Sequence, residues 1–251
     1  PSTETLGVSN VICTDKTGTL TQNTMNVRSI ALSDKIIDVT GNAWESVGDF
    51  VFNDNKISPL EYASLAKLLH IACLCNNAKL LKKDDKYRVI GDPTEASLVV
   101  LAQKAGLKSD ILEEKKIEDE SFSSELRYRA SLVSKKEDTE LYVVGSPEVI
   151  LDRSKYYLSD NGENILTGSK KKEFLSKTDS LTSGAMRTIA LGYRKIQSSE
   201  KTISDDLVSE IVFVGVVGII DPPRPEARES VLKAKKAGIR VIMTTGDHKG
   251  T

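Results

Sequence analysis

The two ends of this chain carry the same kind of segment, and that constrains the fold more than anything between them. Val8 to Asp15 is a short apolar run that ends on a carboxylate and a turn. Near the other end, Ile239 to Met243 is a second such run, closed by Thr245-Gly246-Asp247. Short apolar runs bounded by turn residues predict strands. Carboxylates just past the ends of parallel strands sit where open α/β sheets bind ligands. Ahead of the second run lies Ile211 to Ile220, the longest apolar stretch of the chain. It is about half of the ~20 residues a membrane-spanning helix needs, and it predicts a strand buried on both faces. It leads through Asp221-Pro222-Pro223-Arg224 into a helix with Pro225 in its first turn and Gly238 at its stop. Ala227, Val231 and Ala234 fall on one face of that helix. Strand, helix, strand predicts a βαβ unit in which Ile211–Ile220 and Ile239–Met243 run parallel.

The middle has a different texture. Ser58-Pro59-Leu60-Glu61 is a capping box with proline at its first helical position. It predicts a helix reaching about Cys75, with Leu65, Leu68, Ala72 and Cys75 inward. Asp92-Pro93-Thr94-Glu95 repeats the start signal, and Gly106 is the matching stop. Leu141–Val144 and Thr188–Tyr193 alternate as strands do, Asp160-Asn161-Gly162 is a hairpin turn, and Lys170–Lys172 predicts a solvated helix face. These signals describe an α+β domain, residues 28–211, inserted into a parallel α/β domain made of residues 1–27 and 212–251. The outer sheet is short of strands and Thr251 follows soon after a strand-end motif, so the chain reads as cut from something longer.

Composition narrows the partners. Lys and Arg number 35 against 36 Asp and Glu, for a formal charge of −1, which argues against a nucleic-acid surface or a polybasic membrane patch. Cys13, Cys73 and Cys75 form no CxxC or framework spacing, as expected of buried thiols in a reducing compartment. His70 and His248 have no metal-like neighbours in sequence and are expected in core or surface roles.

The chemistry concentrates in Asp15-Lys16-Thr17-Gly18-Thr19-Leu20-Thr21. Gly18 and the threonines predict a tight turn with amides and hydroxyls free for phosphate oxygens, and an aspartate there can attack a phosphoryl group to give an aspartyl-phosphate. The heptad resembles the phosphorylation signature of the P-type cation-transporting ATPases, within the haloacid-dehalogenase-like superfamily. Phosphatases of that superfamily commonly carry a second aspartate two positions on as general acid and base. Thr17 stands there and cannot do that work at neutral pH, which suits a long-lived aspartyl-phosphate.

The resemblance extends along the chain and brings its own expectations. It implies a partial haloacid-dehalogenase-like parallel sheet with an inserted α+β nucleotide-binding domain built on an antiparallel sheet. Asp15, Lys16 and Thr17 are implied as catalytic, with Asp15 and Thr17 on Mg²⁺. Thr245-Gly246-Asp247 and Asp221-Pro222-Pro223-Arg224 are similar to the family's TGD and DPPR motifs. Thr245 and Gly246 are thereby implied at the transferred phosphoryl, Asp247 at the nucleotide and hinge, and Asp221 and Arg224 beside the nucleotide. In the insert, Phe122 resembles the adenine-stacking phenylalanine, Arg127 a nearby cation, and Arg187 the arginine that reaches the phosphates. Glu95 resembles a glutamate that faces adenine; it is also the third residue of a capping box, and both roles stay open. Gly145-Ser146-Pro147-Glu148 is similar to the KGAPE motif, but Val144 stands where lysine is usual, leaving Arg127 or Arg129 to supply a cation.

Pro1–Leu6, Phe213–Gly218 and Arg240–Lys249 bring the calcium-pump branch closest. Implied cofactors are ATP and Mg²⁺. Implied partners are the transmembrane and actuator domains of the same parent chain, at the cytoplasmic face of a membrane. The family's GDGxNDxP loop and an upstream lysine do not occur in these 251 residues, so ATP binding with little or no autophosphorylation is expected. Two alternatives remain: a soluble haloacid-dehalogenase-like phosphatase, which conflicts with Thr17, and a non-catalytic nucleotide-binding module.

Overall fold

The structure, a computed structural model, describes residues 9–83, 86–109, 112–135, 138–196 and 202–245. The chain starts with β1 (Val11–Asp15), β2 (Asn26–Ala31), β3 (Ile36–Val39), β4 (Phe50–Phe52) and β5 (Asn55–Ile57). Helix α1 (Ala63–Leu74), the hairpin β6 (Lys79–Lys83) and β7 (Lys86–Ile90), and α2 (Pro93–Lys104) follow. Then come β8 (Lys115–Ser123), β9 (Tyr128–Lys135), β10 (Asp138–Gly145), α3 (Pro147–Asp152), β11 (Ser154–Ser159), β12 (Gly162–Ile165) and α4 (Gly168–Ser183). The chain closes with β13 (Arg187–Ile196), β14 (Ile211–Ile220), α5 (Ala227–Lys236) and β15 (Arg240–Thr244).

Most strands join one large sheet in the order β5-β4-β3-β2-β14-β13-β10-β9-β8, antiparallel along that path. The fold is therefore mixed α/β around a large antiparallel sheet. Helices α1 and α2 cover one face, with Leu65, Leu68, Leu69 and Ile71 fully buried; α3 and α4 cover the other, around Phe174 and Phe213. Each such side chain contributes about 1.5–3 kcal/mol on leaving water.

Strand β14 corrects one expectation. It is buried along nearly its whole length, as read from the sequence, but it does not run beside Ile239–Met243. It lies antiparallel between β13 and β2, with β11 parallel to its first residues. A run apolar on every position fits any strand with helices packed on both faces, so the pattern could not choose the partner. Its phase also slips. Val212 and Val214 face the same core as Val217 and Ile219, across a register shift between Leu191 and Gly192 of β13. Gly215 lies inside that slip, where a Cβ would stand 2.7 Å from the Ala31 carbonyl oxygen.

The partner of β15 is β1. They pair in parallel from Val11 opposite Arg240 to Asp15 opposite Thr244, so the two chain ends meet as strand neighbours. Val11, Ile12, Leu232 and Met243 around this pair are 41–53% exposed.

Helix starts divide in an instructive way. At α2 the Asp92 side chain accepts from the amides of Thr94 (2.8 Å) and Glu95 (3.1 Å), and Gly106 past its end has φ 84°, as the sequence predicts. The capping box at Ser58 does not hold. Pro59–Glu61 is a single 3₁₀ turn, Ser58 makes no cap bond, and α1 begins at Ala63. Its first turn is capped from elsewhere: Asp160, in the β11–β12 hairpin turn, accepts from Ser64 N (3.0 Å) and Ser64 Oγ (2.6 Å) and pairs with Lys35. The lysine run of α4 is corrected as well. Lys170 is half-buried and donates to the Ser33 carbonyl at 2.7 Å, and Lys171 pairs with Asp152, which leaves Lys172 to solvent. Cys73 and Cys75 are buried as expected, whereas Cys13 is exposed. Among the described residues, no helix is long and apolar enough to cross a membrane.

Candidate functional site

Where β8 and β10 end and β9 and β13 begin, the large sheet meets the first turn of α2. A cavity of about 420 Å³ opens there, and Glu95, Phe122, Arg127, Gly145 and Arg187 all line it. Its walls are apolar (Leu98, Val144, Ile189) and its polar groups sit at the edges, the usual make-up of a small-molecule site.

Each residue is held for a local reason. Asp92 caps α2 through the Glu95 amide, and the Glu95 carboxylate turns to the cavity, accepting from Asn77 N at 2.9 Å and pairing with Arg129. Phe122, near the end of β8, keeps 57% of its surface exposed, a large ring left in water at the cavity mouth. Arg127 lies in the turn between β8 and β9 at φ 61° and donates to Ser146 Oγ at 2.9 Å, with Glu148 3.5 Å away. Gly145 could carry no side chain, because a Cβ would lie 2.6 Å from both the Arg127 carbonyl oxygen and Tyr128 Cβ. Arg187 opens β13 and donates to Thr94 Oγ1 at 3.2 Å.

Beneath them is an ionic cluster around the buried Arg129, of which sequence reading reached Arg129 and Glu95. The Arg129 side chain is 3% exposed; its Nη2 donates to both Asp119 oxygens, at 3.0 and 2.8 Å, and its Nη1 donates to Glu95. Asp119 also accepts from Asn77 Nδ2 (2.6 Å), Lys116 Nζ (3.1 Å) and Ser131. Burial works to raise the Asp119 carboxyl, but the Ser131 hydroxyl and the Arg129 and Lys116 charges hold it below the usual carboxylate range. No spacing marks Asp119 or Asn77. Asp119 meets Arg129 because β8 pairs it with Ser131 on the face that also carries Arg129, and Asn77 joins the cluster through Glu95 and Asp119.

A smaller cavity of about 180 Å³ lies next to the first, lined by Lys16, Thr17, Thr21 and Asp221, with Arg187 bordering both. The Lys16–Leu20 loop turns at Gly18, φ 76°, and the Thr21 hydroxyl closes it by accepting from Gly18 N at 3.1 Å. Asp221 receives Thr21 Oγ1 at 2.5 Å and Thr24 N at 3.1 Å, and Arg224 donates to the carbonyls of Gly18 (2.9 Å) and Thr19 (3.1 Å). Asp221 and Arg224 thus clamp the Asp15 loop; neither lines the larger cavity with the other expected nucleotide residues. Asp15 is exposed at the end of β1, opposite Thr244, and Thr245 is the next residue along. Gly246 and Asp247, like His248, lie outside the described residues.

Comparison with known proteins agrees with this geometry. The chain is 36% identical over its full length to a calcium-transporting ATPase of Bacillus subtilis. It is 33% identical to the cation-transporting ATPase pma1 of Synechocystis, and 32% identical to calcium-transporting ATPase 3, endoplasmic reticulum-type, of Arabidopsis thaliana. It spans 28–29% of the length of these relatives. Residues 64–226 match the family described as P-type ATPase, cytoplasmic domain N. The chain therefore belongs to the P-type ATPase family, as a bearer of its cytoplasmic domain N.

Proposed function

We propose that this chain holds ATP in the 420 Å³ cavity, as the nucleotide-gripping part of a longer cation-transporting P-type ATPase. One observation carries the reading. Glu95, Phe122, Arg127, Gly145 and Arg187, drawn from a helix, three strands and a turn, line a single cavity. The exposed Phe122 ring would stack on adenine, a contact that needs only a π-face. Glu95 would accept from the exocyclic amino group, Arg127 would stand at the rim, and Arg187 would carry phosphate oxygens toward the smaller cavity.

In the longer protein, a carboxylate oxygen of Asp15 would form the new bond to the γ-phosphorus as the bond to ADP breaks. Lys16 and the Thr245-Gly246-Asp247 turn would orient that group. Asp15 and Thr17 are the residues that would hold Mg²⁺, which supplies charge neutralisation. Asp221 and Arg224 would act one step back, by fixing the shape of the Asp15 loop. The acidic loop and lysine implied by the resemblance are not among these 251 residues, so ATP holding is assigned to this chain and transfer to the longer protein. The relatives' names favour a cation as cargo, calcium first, with transmembrane and actuator domains as partners at the cytoplasmic face.

Sheet membership supports moving the expected domain limits. On this reading residues 24–221 would make the nucleotide lobe, and the parallel pair β1–β15, with α5 leading into β15, would be part of a haloacid-dehalogenase-like sheet. The test is an ATP titration of the chain beside Phe122→Ala. Micromolar-to-millimolar binding, weakened roughly 5- to 150-fold in the variant by loss of ~1–3 kcal/mol of stacking, is expected. Equal affinity in the two proteins would remove the adenine site.

A further inference from the structure

The cavity proposed for the nucleotide has a charged floor built around Arg129. Arg129 sits on β9 directly opposite Val144 of β10, and both line the cavity. Its guanidinium is withdrawn from solvent and spans two carboxylates, Glu95 and Asp119. Its Nε is buried and finds no hydrogen-bond partner among the described residues. The side chain's orientation therefore rests on those two acids. Glu95 in turn has one oxygen on Arg129 and the other on the Asn77 amide. Donors on both oxygens fix the orientation of the carboxylate, and the lone pairs they leave over are acceptor sites.

We infer that Arg129 is the positioning residue of this site: it locks Glu95 as a fixed acceptor, so the cavity selects a purine with an amino group at position 6 over one with a carbonyl there. The inference rests on the nucleotide reading above and deepens it. A 6-amino group donates to a remaining lone pair of Glu95, while a 6-carbonyl sets lone pair against lone pair there, a costly mismatch. The same arrangement accounts for the aliphatic residue at 144. Cβ atoms of directly opposed residues lie about 4.5–5.5 Å apart, so a cation on either strand reaches the same pair of acids. Here that cation is on β9, and Val144 is free to serve as apolar wall.

The experiment compares ATP and GTP affinity in the wild-type chain, in Arg129→Met, and in Arg129→Met combined with Val144→Lys, with thermal unfolding as the check on folding. The wild type is expected to prefer ATP by about tenfold or more. Arg129→Met should lose that preference, with ATP affinity falling about tenfold and GTP affinity changing little. The added lysine should restore much of it. A purely structural role would lower both affinities together and leave their ratio alone. An unchanged ratio in folded Arg129→Met, or no recovery in the folded double variant, overturns the inference while the nucleotide reading stands. Absence of ATP binding by the wild type removes both. Should Arg129→Met not fold, Arg129→Gln is read instead: it stays polar but removes the charge that holds Glu95 and Asp119, so a wild-type ratio there also counts against the inference.

Discussion

Cys75 follows α1 with no exposed surface and its Sγ 3.5 Å from the Tyr142 carbonyl oxygen. Burial pushes its thiol up to about 11 from an ordinary 9.0. The sign follows from proton counting. Between those two values the unfolded chain has released the proton and the folded chain still holds it, so stability falls as pH rises through that window. Against Cys75→Ala as reference, the wild type should lose about 2–3 kcal/mol from pH 9 to pH 11, measured by denaturant unfolding. Parallel curves for the two proteins would contradict the burial argument. At this scale the site residues were partly legible. Glu95, Phe122, Arg127, Gly145 and Arg187 were each named from short motifs, and all five reach one cavity. Asp119 was not, because nothing near it in the chain marks an acid whose partners are Arg129 and Asn77. Asp221 and Arg224 sit in the expected motif, yet their bonds go to the Asp15 loop.

Elements show why some signals hold and others do not. The start of α2 was legible because the Asp92 cap bonds only residues two and three places ahead. The start of α1 was not, because its cap comes from Asp160, a separation of 96 residues from Ser64. A carboxylate at a helix N-terminus both satisfies free amides and complements the dipole. The two candidate caps can be told apart by substitution. Ser58→Ala should leave stability within ~0.5 kcal/mol of wild type. Asp160→Ala removes the cap and strips a partner from Lys35, whose side chain is 7% exposed, and should cost about 2–3 kcal/mol. The reverse order in urea unfolding would restore the local capping box. Burial works to raise the Asp160 carboxyl, but its bonds from Lys35 and Ser64 hold it below the usual range. Its contribution is therefore present above the ordinary aspartate value and is lost as pH falls below it.

For the whole molecule, the telling feature is where the large sheet enters and leaves. Strands β2 and β14 are neighbours, with Asn26 opposite Ile220, so a lobe of well over a hundred residues begins and ends at one point. A piece comprising residues 24–221 should fold cooperatively and bind ATP within about twofold of the full chain, since the sites it loses are separate from the cavity. Failure of that piece to fold would mean that β1, β15 and α5 support the large sheet. What the sequence determined unaided was local or repetitive: the turn after Asp15, the α2 cap, the glycine stops, and the α+β texture of the middle. Those features depend on residues within a turn of one another, or on a period that short segments display openly. Tertiary structure alone decided which strands are neighbours, which acid caps α1 and which cation underlies the cavity. An apolar run has the same appearance beside any partner, and an ion pair between distant segments leaves no pattern in either one.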